Sequence, residues 1–108
     1  MREDKDTRKR LLALLDRELF DPILKKTRGE FDSTAHKHNF DDARRKIVQE
    51  RQRYHDSCPT VADIKQSFLQ DLESRSSTRL NENLRSLGLP TYWDIKDEFL
   101  KLCLTYQA

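Results

Sequence analysis

The chain has 108 residues, of which 37% are charged and 35% are hydrophobic, and this predicts a single domain with a thin core. Leu, Ile, Val and Phe together number 26, or about 24%, above the roughly 20% below which a chain is expected to be disordered. A net charge of +2 is far from that of a dedicated nucleic-acid binder, and two cysteines are too few for a disulfide framework.

The first twenty residues predict a helix that follows a frayed end. We expect residues 1–6 to fray and Thr7 to cap a helix near 7–20, so that a single helical domain spans 7–108. The buried face of this helix is formed by three leucines: Leu11, Leu15 and Leu19. Its apolar run is too short for a secretion signal, and no run approaches the roughly 20 residues that span a bilayer. The sequence therefore predicts a cytoplasmic protein with reduced thiols and no membrane partner.

A break in the helix is predicted at Asp21 and Pro22. Asp is a good N-cap and Pro suits the first helical position, so a short helix is expected near 22–27. Gly29 follows where a left-handed residue ends many helices. The sequence thus predicts two separate helices before residue 30.

The segment 30–40 is polar, and we expect Phe31 and Phe40 to pin it to the core as a loop. A hydrophilic helix with a narrow apolar seam is then predicted at 41–55. Its outer surface carries several cations: Arg44, Arg45, Lys46, Arg51 and Arg53.

Two stretches that lie 31 residues apart are nearly the same. Residues 59–69 and 90–100 agree at seven of eleven positions, from Pro59-Thr60 and Pro90-Thr91 onwards. Each copy reads as a capped start of an amphipathic helix, in which Thr is the cap and Asp lies three residues later. The shared lysine, Lys65 in one copy and Lys96 in the other, has no role in capping or in the core. Two explanations are open: convergence on a good helix start, or a duplicated helical hairpin.

These patterns predict an all-α fold, a small irregular bundle of about four main helices plus one or two short ones. With two glycines and three prolines, the chain has few turn residues, which favours helices over many short strands. The main helices are expected near 7–20, 41–55, 61–73 and 92–105, and shorter ones near 22–27 and 78–87, the latter ended by Gly88.

Residues 60–88 resemble a helix-turn-helix of bacterial regulators. Thr60 to Ile64 resembles the opening of its first helix, and the serine-rich entry into 78–87 resembles that of a recognition helix. The resemblance implies contacts with the DNA major groove, where Arg reads guanine and Asn reads adenine. The residues implied are Arg75, Ser77, Arg79, Asn81 and Asn83. Nucleic-acid binding through these residues, or through Arg44, Arg45 and Arg51 of the helix 41–55, is the alternative function.

Signals for catalysis or for a cofactor are weak. The spacing of His36, His38, His55 and Cys58 permits metal ligation, but no matching second pair of ligands follows. The pair His55 and Cys58 is the one candidate for a nucleophile. Asp94, Asp97 and Glu98 fall in the first turn of a helix, where acids stabilise the dipole. We therefore expect no metal, no cofactor and no catalytic site.

An apolar strip on the last helix gives the leading functional hypothesis. If Tyr92, Ile95, Phe99, Leu102 and Tyr106 face inward, then Trp93, Leu100 and Leu104 form a second strip on a neighbouring face. A second apolar strip on the terminal helix of a small protein suits a partner protein or a second copy. The sequence thus predicts a non-catalytic module that acts through protein–protein association or self-association.

Overall fold

The structure is a computed structural model that describes residues 2–107, with the side chains of 5–105. These residues form helices joined by short connections, without a strand, and the all-α prediction is confirmed. None of the helices in this part of the chain has the length and apolarity needed to cross a membrane. The α-helices are α1 (Arg2–Leu15), α2 (Asp21–Leu24), α3 (Thr34–Ser57), α4 (Val61–Glu73), α5 (Arg75–Ser86) and α6 (Lys96–Gln107).

The predicted break at Pro22 is wrong, because α1 continues into α2 through a π-helical turn, Asp16–Phe20. A proline ring lacks an N–H and collides with the carbonyl four residues earlier in a regular α-helix. The wider turn, in which the Asp21 N–H donates to the Asp16 carbonyl, accommodates the ring. Asp21 is therefore a helical residue and not a cap.

Two other predictions near the N-terminus are corrected. The first helix begins at Arg2, and Thr7 is a buried residue inside it instead of its cap. Gly29 lies in a 3₁₀ turn, Arg28–Glu30, without a positive φ angle. The turn is instead set by a capping box of Thr27 and Glu30, in which the side chain of each residue is hydrogen-bonded to the backbone of the other. The fraying of residues 1–6 stays a prediction, and Met1 lies outside the described residues.

The helix α3 begins seven residues before the predicted start. Ser33 caps it by accepting a hydrogen bond from the His36 N–H, so most of the expected loop is helical. Phe40 is buried within α3 and stacks on half-buried Phe31 at 4.6 Å between ring centroids, as the pinning role required. At the other end of α3, Arg8 donates to the carbonyls of His55 and Cys58 and satisfies groups that a helix terminus leaves open.

The hairpin of α4 and α5 turns at a single residue. Ser74 ends α4, and its hydroxyl accepts the Ser77 N–H at the start of α5. Gly88 ends α5 with φ +74°, as predicted, and this left-handed residue lets the Leu89 N–H donate back to the Leu84 carbonyl. The helix α5 is as long as α6, so it is a main helix and not a short one.

The two similar stretches make the same local structure. Thr60 and Asp63 bond reciprocally at the start of α4, and Thr91 and Asp94 do the same before α6. The second copy begins with a 3₁₀ turn, Trp93–Ile95, and only then becomes α-helical. The predicted helix 92–105 is confirmed with that change, while the side chain of Tyr106 lies outside the described residues.

The core lies where α1, α3, α4 and α6 meet. Its largest members are aromatic, and neighbouring rings contact one another: Phe20, Tyr54, Phe68, Tyr92 and Phe99. The helix α1 packs against both α4 and α6, while α5 packs against α3 and α4. One side of the pair α4 and α6 is therefore left facing solvent.

A candidate interaction surface and a buried polar cluster

The helices α4 and α6 run in opposite directions about a stacked pair of phenylalanines. The rings of Phe68 and Phe99 lie 3.8 Å apart at 11°. Toward one end, Trp93 Nε1 donates to the Leu72 carbonyl at 3.2 Å. Toward the other end, Lys65 of α4 lies near Cys103 of α6. Burial raises the pKa of the Cys103 thiol, and the charge of Lys65 opposes this rise. Residues later in α4 thus lie beside residues earlier in α6, so the two helices are antiparallel.

This pairing brings equivalent positions of the two similar stretches together. Phe68 and Phe99 are 31 residues apart and occupy the same place in each copy. In two antiparallel right-handed helices, the residues that follow two facing residues lie on the same side of the pair. Leu69 and Leu100 therefore lie on one side, related by a local two-fold axis through the stacked rings.

That side faces solvent, while the opposite side of the pair is buried. Ile64 and Ile95 are 0% and 5% exposed, whereas Leu69 is 37% exposed and Leu104 is 65% exposed. Leu100 is half-buried beside them. We call this exposed side the α4–α6 face; it includes Lys65, Leu69, Lys96, Leu100 and Leu104, and exposed Glu73 takes on α4 the place that Leu104 takes on α6.

Trp93 lies at the end of the α4–α6 face and is half-buried. Its indole N–H is bonded to the Leu72 carbonyl, and the Arg85 guanidinium lies 4.7 Å from the ring centroid. A cation above an aromatic ring is attracted by the ring quadrupole. Trp93 thus ties α5 and α4 to the start of α6. Of the three predicted contact residues, Leu104 is exposed, whereas Trp93 and Leu100 are half-buried.

A second feature is a polar cluster at the junction of α3, α4 and α5. Three donors surround the buried Asp71 carboxyl group: the Tyr54 hydroxyl at 2.6 Å, Arg53 Nη2 at 3.0 Å and the Ser77 hydroxyl at 3.1 Å. Glu50 accepts from the same Arg53 nitrogen at 2.6 Å. The cluster borders an open surface cavity of about 560 Å³, which Lys46 also lines.

Burial raises the pKa of Asp71 from 3.8 to about 7, and the neighbouring Glu50 carboxyl acts in the same direction. The hydrogen bond from Tyr54 and the charge of Arg53 lower it, but they are outweighed. Burial likewise raises the pKa of the Tyr54 and Tyr92 hydroxyls, so both stay neutral at physiological pH. The cluster can therefore bind one proton near neutral pH.

We expect the protein to gain stability as the pH falls from about 8 to about 5. Because the pKa of Asp71 is higher in the folded than in the unfolded chain, the folded state binds the proton more tightly. The contribution is complete below the unfolded pKa and is lost as the pH rises through about 7. The slope attributable to Asp71 is at most about 1.4 kcal/mol per pH unit. Urea unfolding at several pH values measures it.

The control for this prediction is Asp71→Asn, which replaces the Asp71 carboxyl group with an amide that does not titrate. Its free energy of unfolding should follow pH with a smaller slope, since the histidines and other groups are common to both proteins. Equal slopes in the two proteins would show that Asp71 does not titrate in this range.

The structure separates the residues that the helix-turn-helix resemblance implied. Asn81 is fully buried, and its role as a base-reading residue is therefore wrong. Its amide donates to the Asp71 carbonyl and its oxygen accepts the Tyr92 N–H. Ser77 bonds Asp71, and Asn83 bonds the Asn39 carbonyl of α3, so both are partly engaged in the fold. The two that remain exposed on α5 are Arg75 and Arg79.

The cations of α3 are largely neutralised by neighbouring acids. Arg45 pairs with Asp42 at 2.6 Å, and Arg51 lies 3.4 Å from Asp16. Arg53 belongs to the Asp71 cluster. Arg44 is exposed on the same helix. Arg45, Arg51 and Arg53 therefore each lie within 3.4 Å of a carboxylate oxygen.

The His and Cys candidates are also dispersed. His55 Nε2 lies 3.0 Å from Asp16, while the buried Cys58 thiol lies 3.4 Å from the Ser67 hydroxyl. His36 and His38 are exposed on the first turns of α3. Among the residues that the structure describes, no three His, Cys, Asp or Glu side chains are grouped as metal ligands.

No protein-family model, curated protein or solved structure matches this chain.

Sequence reasoning missed Leu69 and the arrangement of Lys65 with Lys96. Leu69 stands beside the apolar stripe of α4 and gave no signal of its own. The signal that was present is the repeat itself, because Lys65 matches Lys96 and Leu69 matches Leu100. Only the antiparallel pairing of the two copies shows that these four positions share one surface.

Proposed function

We propose that this protein is a non-catalytic module that binds another protein through the α4–α6 face. The observation that carries the proposal is the position of its exposed aliphatic side chains. Among the described residues, three large hydrophobic side chains are exposed to solvent: Val48, Leu69 and Leu104. Single exposed leucines are ordinary, but two of these three share one side with half-buried Leu100.

The composition of the face also supports a protein partner. Its apolar side chains stand on two rigid helices whose spacing is fixed by the Phe68–Phe99 stack. A groove between two helices accepts an apolar stripe of a third helix, which is a common mode of peptide recognition. Lysine stems beside the leucines add apolar contact while their charged ends reach water.

Nucleic-acid binding receives less support. Binding to phosphates requires unpaired positive charge on one surface, whereas Arg45 and Arg51 lie beside acids and Arg75 and Arg79 are on a different helix. Titration with mixed-sequence duplex and single-stranded DNA at low salt tests this alternative. Affinity tighter than about 10⁻⁴ M would favour it over the α4–α6 face.

A cytoplasmic setting is part of the proposal. Its support is that Cys58 and Cys103 are both free and buried, as expected for thiols that never meet an oxidising compartment.

The proposal is tested by selecting peptides from a random displayed library on the folded protein. We expect enriched peptides to bind the native protein and to lose at least about tenfold in affinity for Leu104→Asp, because a charge then occupies the apolar contact. Val48→Asp is the matched control, since it places the same charge on another exposed aliphatic position, on α3, where Val48 is 42% exposed. Circular dichroism establishes that both variants are folded.

Sedimentation equilibrium over a range of concentrations tests whether the protein associates with itself. Self-association that Leu104→Asp abolishes would support association through the same face, with a second copy as the partner. A monomeric protein on which no peptide is enriched, or peptides that bind both variants alike, would overturn the proposal.

A further inference from the structure

We infer that Glu50 of α3 and Asp71 of α4 share one proton, and that this proton forms a pH-sensitive link between the two helices. The inference does not depend on the α4–α6 face. It is carried by the position of both carboxyl groups on one arginine nitrogen, and by the burial of the cluster that contains them.

The two carboxyl groups lie on the same nitrogen atom. Arg53 Nη2 is 2.6 Å from Glu50 Oε1 and 3.0 Å from Asp71 Oδ2. The side chain of Asp71 is buried and that of Glu50 is mostly buried, so water screens the pair poorly. Two carboxylates in this arrangement repel each other, whereas a proton on either one converts the contact into a strong hydrogen bond.

The charges of the cluster favour a single proton. One guanidinium, that of Arg53, faces two carboxyl groups. These three groups are neutral together when one proton is bound, and they carry a net negative charge when it leaves. An unbalanced charge is costly where burial keeps water away. Burial, and after it the hydrogen bond to Glu50, accordingly raise the pKa of Asp71.

The groups that reach Asp71 from the surrounding elements are mainly hydroxyls. The Tyr54 hydroxyl of α3 and the Ser77 hydroxyl of α5 each donate a hydrogen bond to it. The Tyr92 hydroxyl, from the segment before α6, stays neutral because burial raises its pKa. Lys46 of α3 lines the cavity beside the cluster, but it is exposed, and water screens its charge. The balance between the two carboxyl groups and Arg53 therefore decides the protonation of the pair.

The link is present when the proton is bound and is lost when the proton leaves. Because the pKa of Asp71 is raised to about 7 in the folded chain, the pair is protonated at acidic pH and releases its proton as the pH rises through neutrality. The two negative charges then repel each other. Glu50, the more exposed of the two, can turn toward the cavity, while Asp71 keeps its own hydrogen-bond donors.

A double-mutant cycle of Glu50→Gln and Asp71→Asn tests the link. Urea unfolding at about pH 5.5 and at about pH 8.5 measures the coupling between the two side chains at each pH. The coupling should be favourable at the lower pH, where the proton lies between them, and should vanish or become unfavourable at the higher pH. A coupling that is the same at both pH values, or that becomes more favourable as the pH rises, would overturn the inference.

Carbon-13 NMR of the side-chain carboxyl groups tests the same inference without relying on Asp71→Asn. In the native protein, the carboxyl carbons of Glu50 and Asp71 should move together through a step near pH 7. Glu50→Gln should lower the midpoint observed for Asp71 by at least about one pH unit, because the shared hydrogen bond and the like charge are both removed.

Glu73→Gln is the matched control, because it removes the same charge from an exposed position two residues after Asp71 on α4. It should leave the midpoint of Asp71 almost unchanged, since water screens an exposed charge. The inference would be overturned by equal midpoints in the native protein and in Glu50→Gln, by equal shifts in the Glu50 and Glu73 variants, or by a step at which Asp71 moves alone.

Discussion

Replacement of Phe99 by alanine is expected to reduce the free energy of unfolding by about 3–5 kcal/mol, a large part of the roughly 5–15 kcal/mol available to a domain of this kind. Phe99 is fully buried and stacks on Phe68 at 3.8 Å. Its removal leaves a cavity between α4 and α6 and frees one face of the Phe68 ring. A thin core has few other side chains that can move to fill the space.

Urea unfolding followed by circular dichroism measures the loss. Phe68→Ala should have a similar effect, and the double variant should lose less than the sum of the two, because the rings contact each other. Leu104→Ala is the control on the same helix and should change stability by less than about 0.5 kcal/mol, since Leu104 is 65% exposed. Additive losses from Phe68 and Phe99 would contradict the stacked arrangement.

Replacement of Asn81 by leucine is expected to lower stability by about 2–4 kcal/mol, although leucine is apolar and similar in size. Asn81 is fully buried and bonds the Asp71 carbonyl and the Tyr92 N–H, each at 2.9 Å. Leucine leaves both backbone groups buried without a partner, and each such group costs about 1–3 kcal/mol. The side chain of Asn81 thus ties the end of α4 to the start of the last helical segment.

The neighbouring Asn83 provides the comparison. It is half-buried and makes one hydrogen bond, to the Asn39 carbonyl, which water can replace. Asn83→Leu should therefore lower stability by less than about 1 kcal/mol. If both substitutions have the same small effect in urea unfolding, the bonds assigned to Asn81 do not form.

Local chemistry explains which parts of the fold were predictable. Thr60 with Asp63, and Gly88 after α5, act on residues within a few positions, so their roles can be read from spacing. The start of α3 was missed because its first turns carry almost no apolar residues and depend on the cap at Ser33. The turn at Pro22 was missed because a π-helical turn has no simple sequence pattern.

The interaction surface depends on tertiary pairing, which the sequence does not state. Leu100 and Leu104 were found from the periodicity of one helix, whereas Leu69 joins them only because α4 lies antiparallel to α6. Asn81 was misplaced in the opposite way, because a residue expected at the surface is buried. Its partners are 10 and 11 residues away in the chain, and a local resemblance placed it on the surface.

The most direct test of the α4–α6 face is a map of amide chemical shifts in the ¹⁵N-labelled protein as a library-selected peptide is added. We predict that the largest changes cluster at Lys65, Leu69, Leu100 and Leu104, and that Leu104→Asp suppresses them. Changes centred instead on the groove between α1 and α6, around Ala13 and Leu102, or on the outer side of α3, would contradict the account.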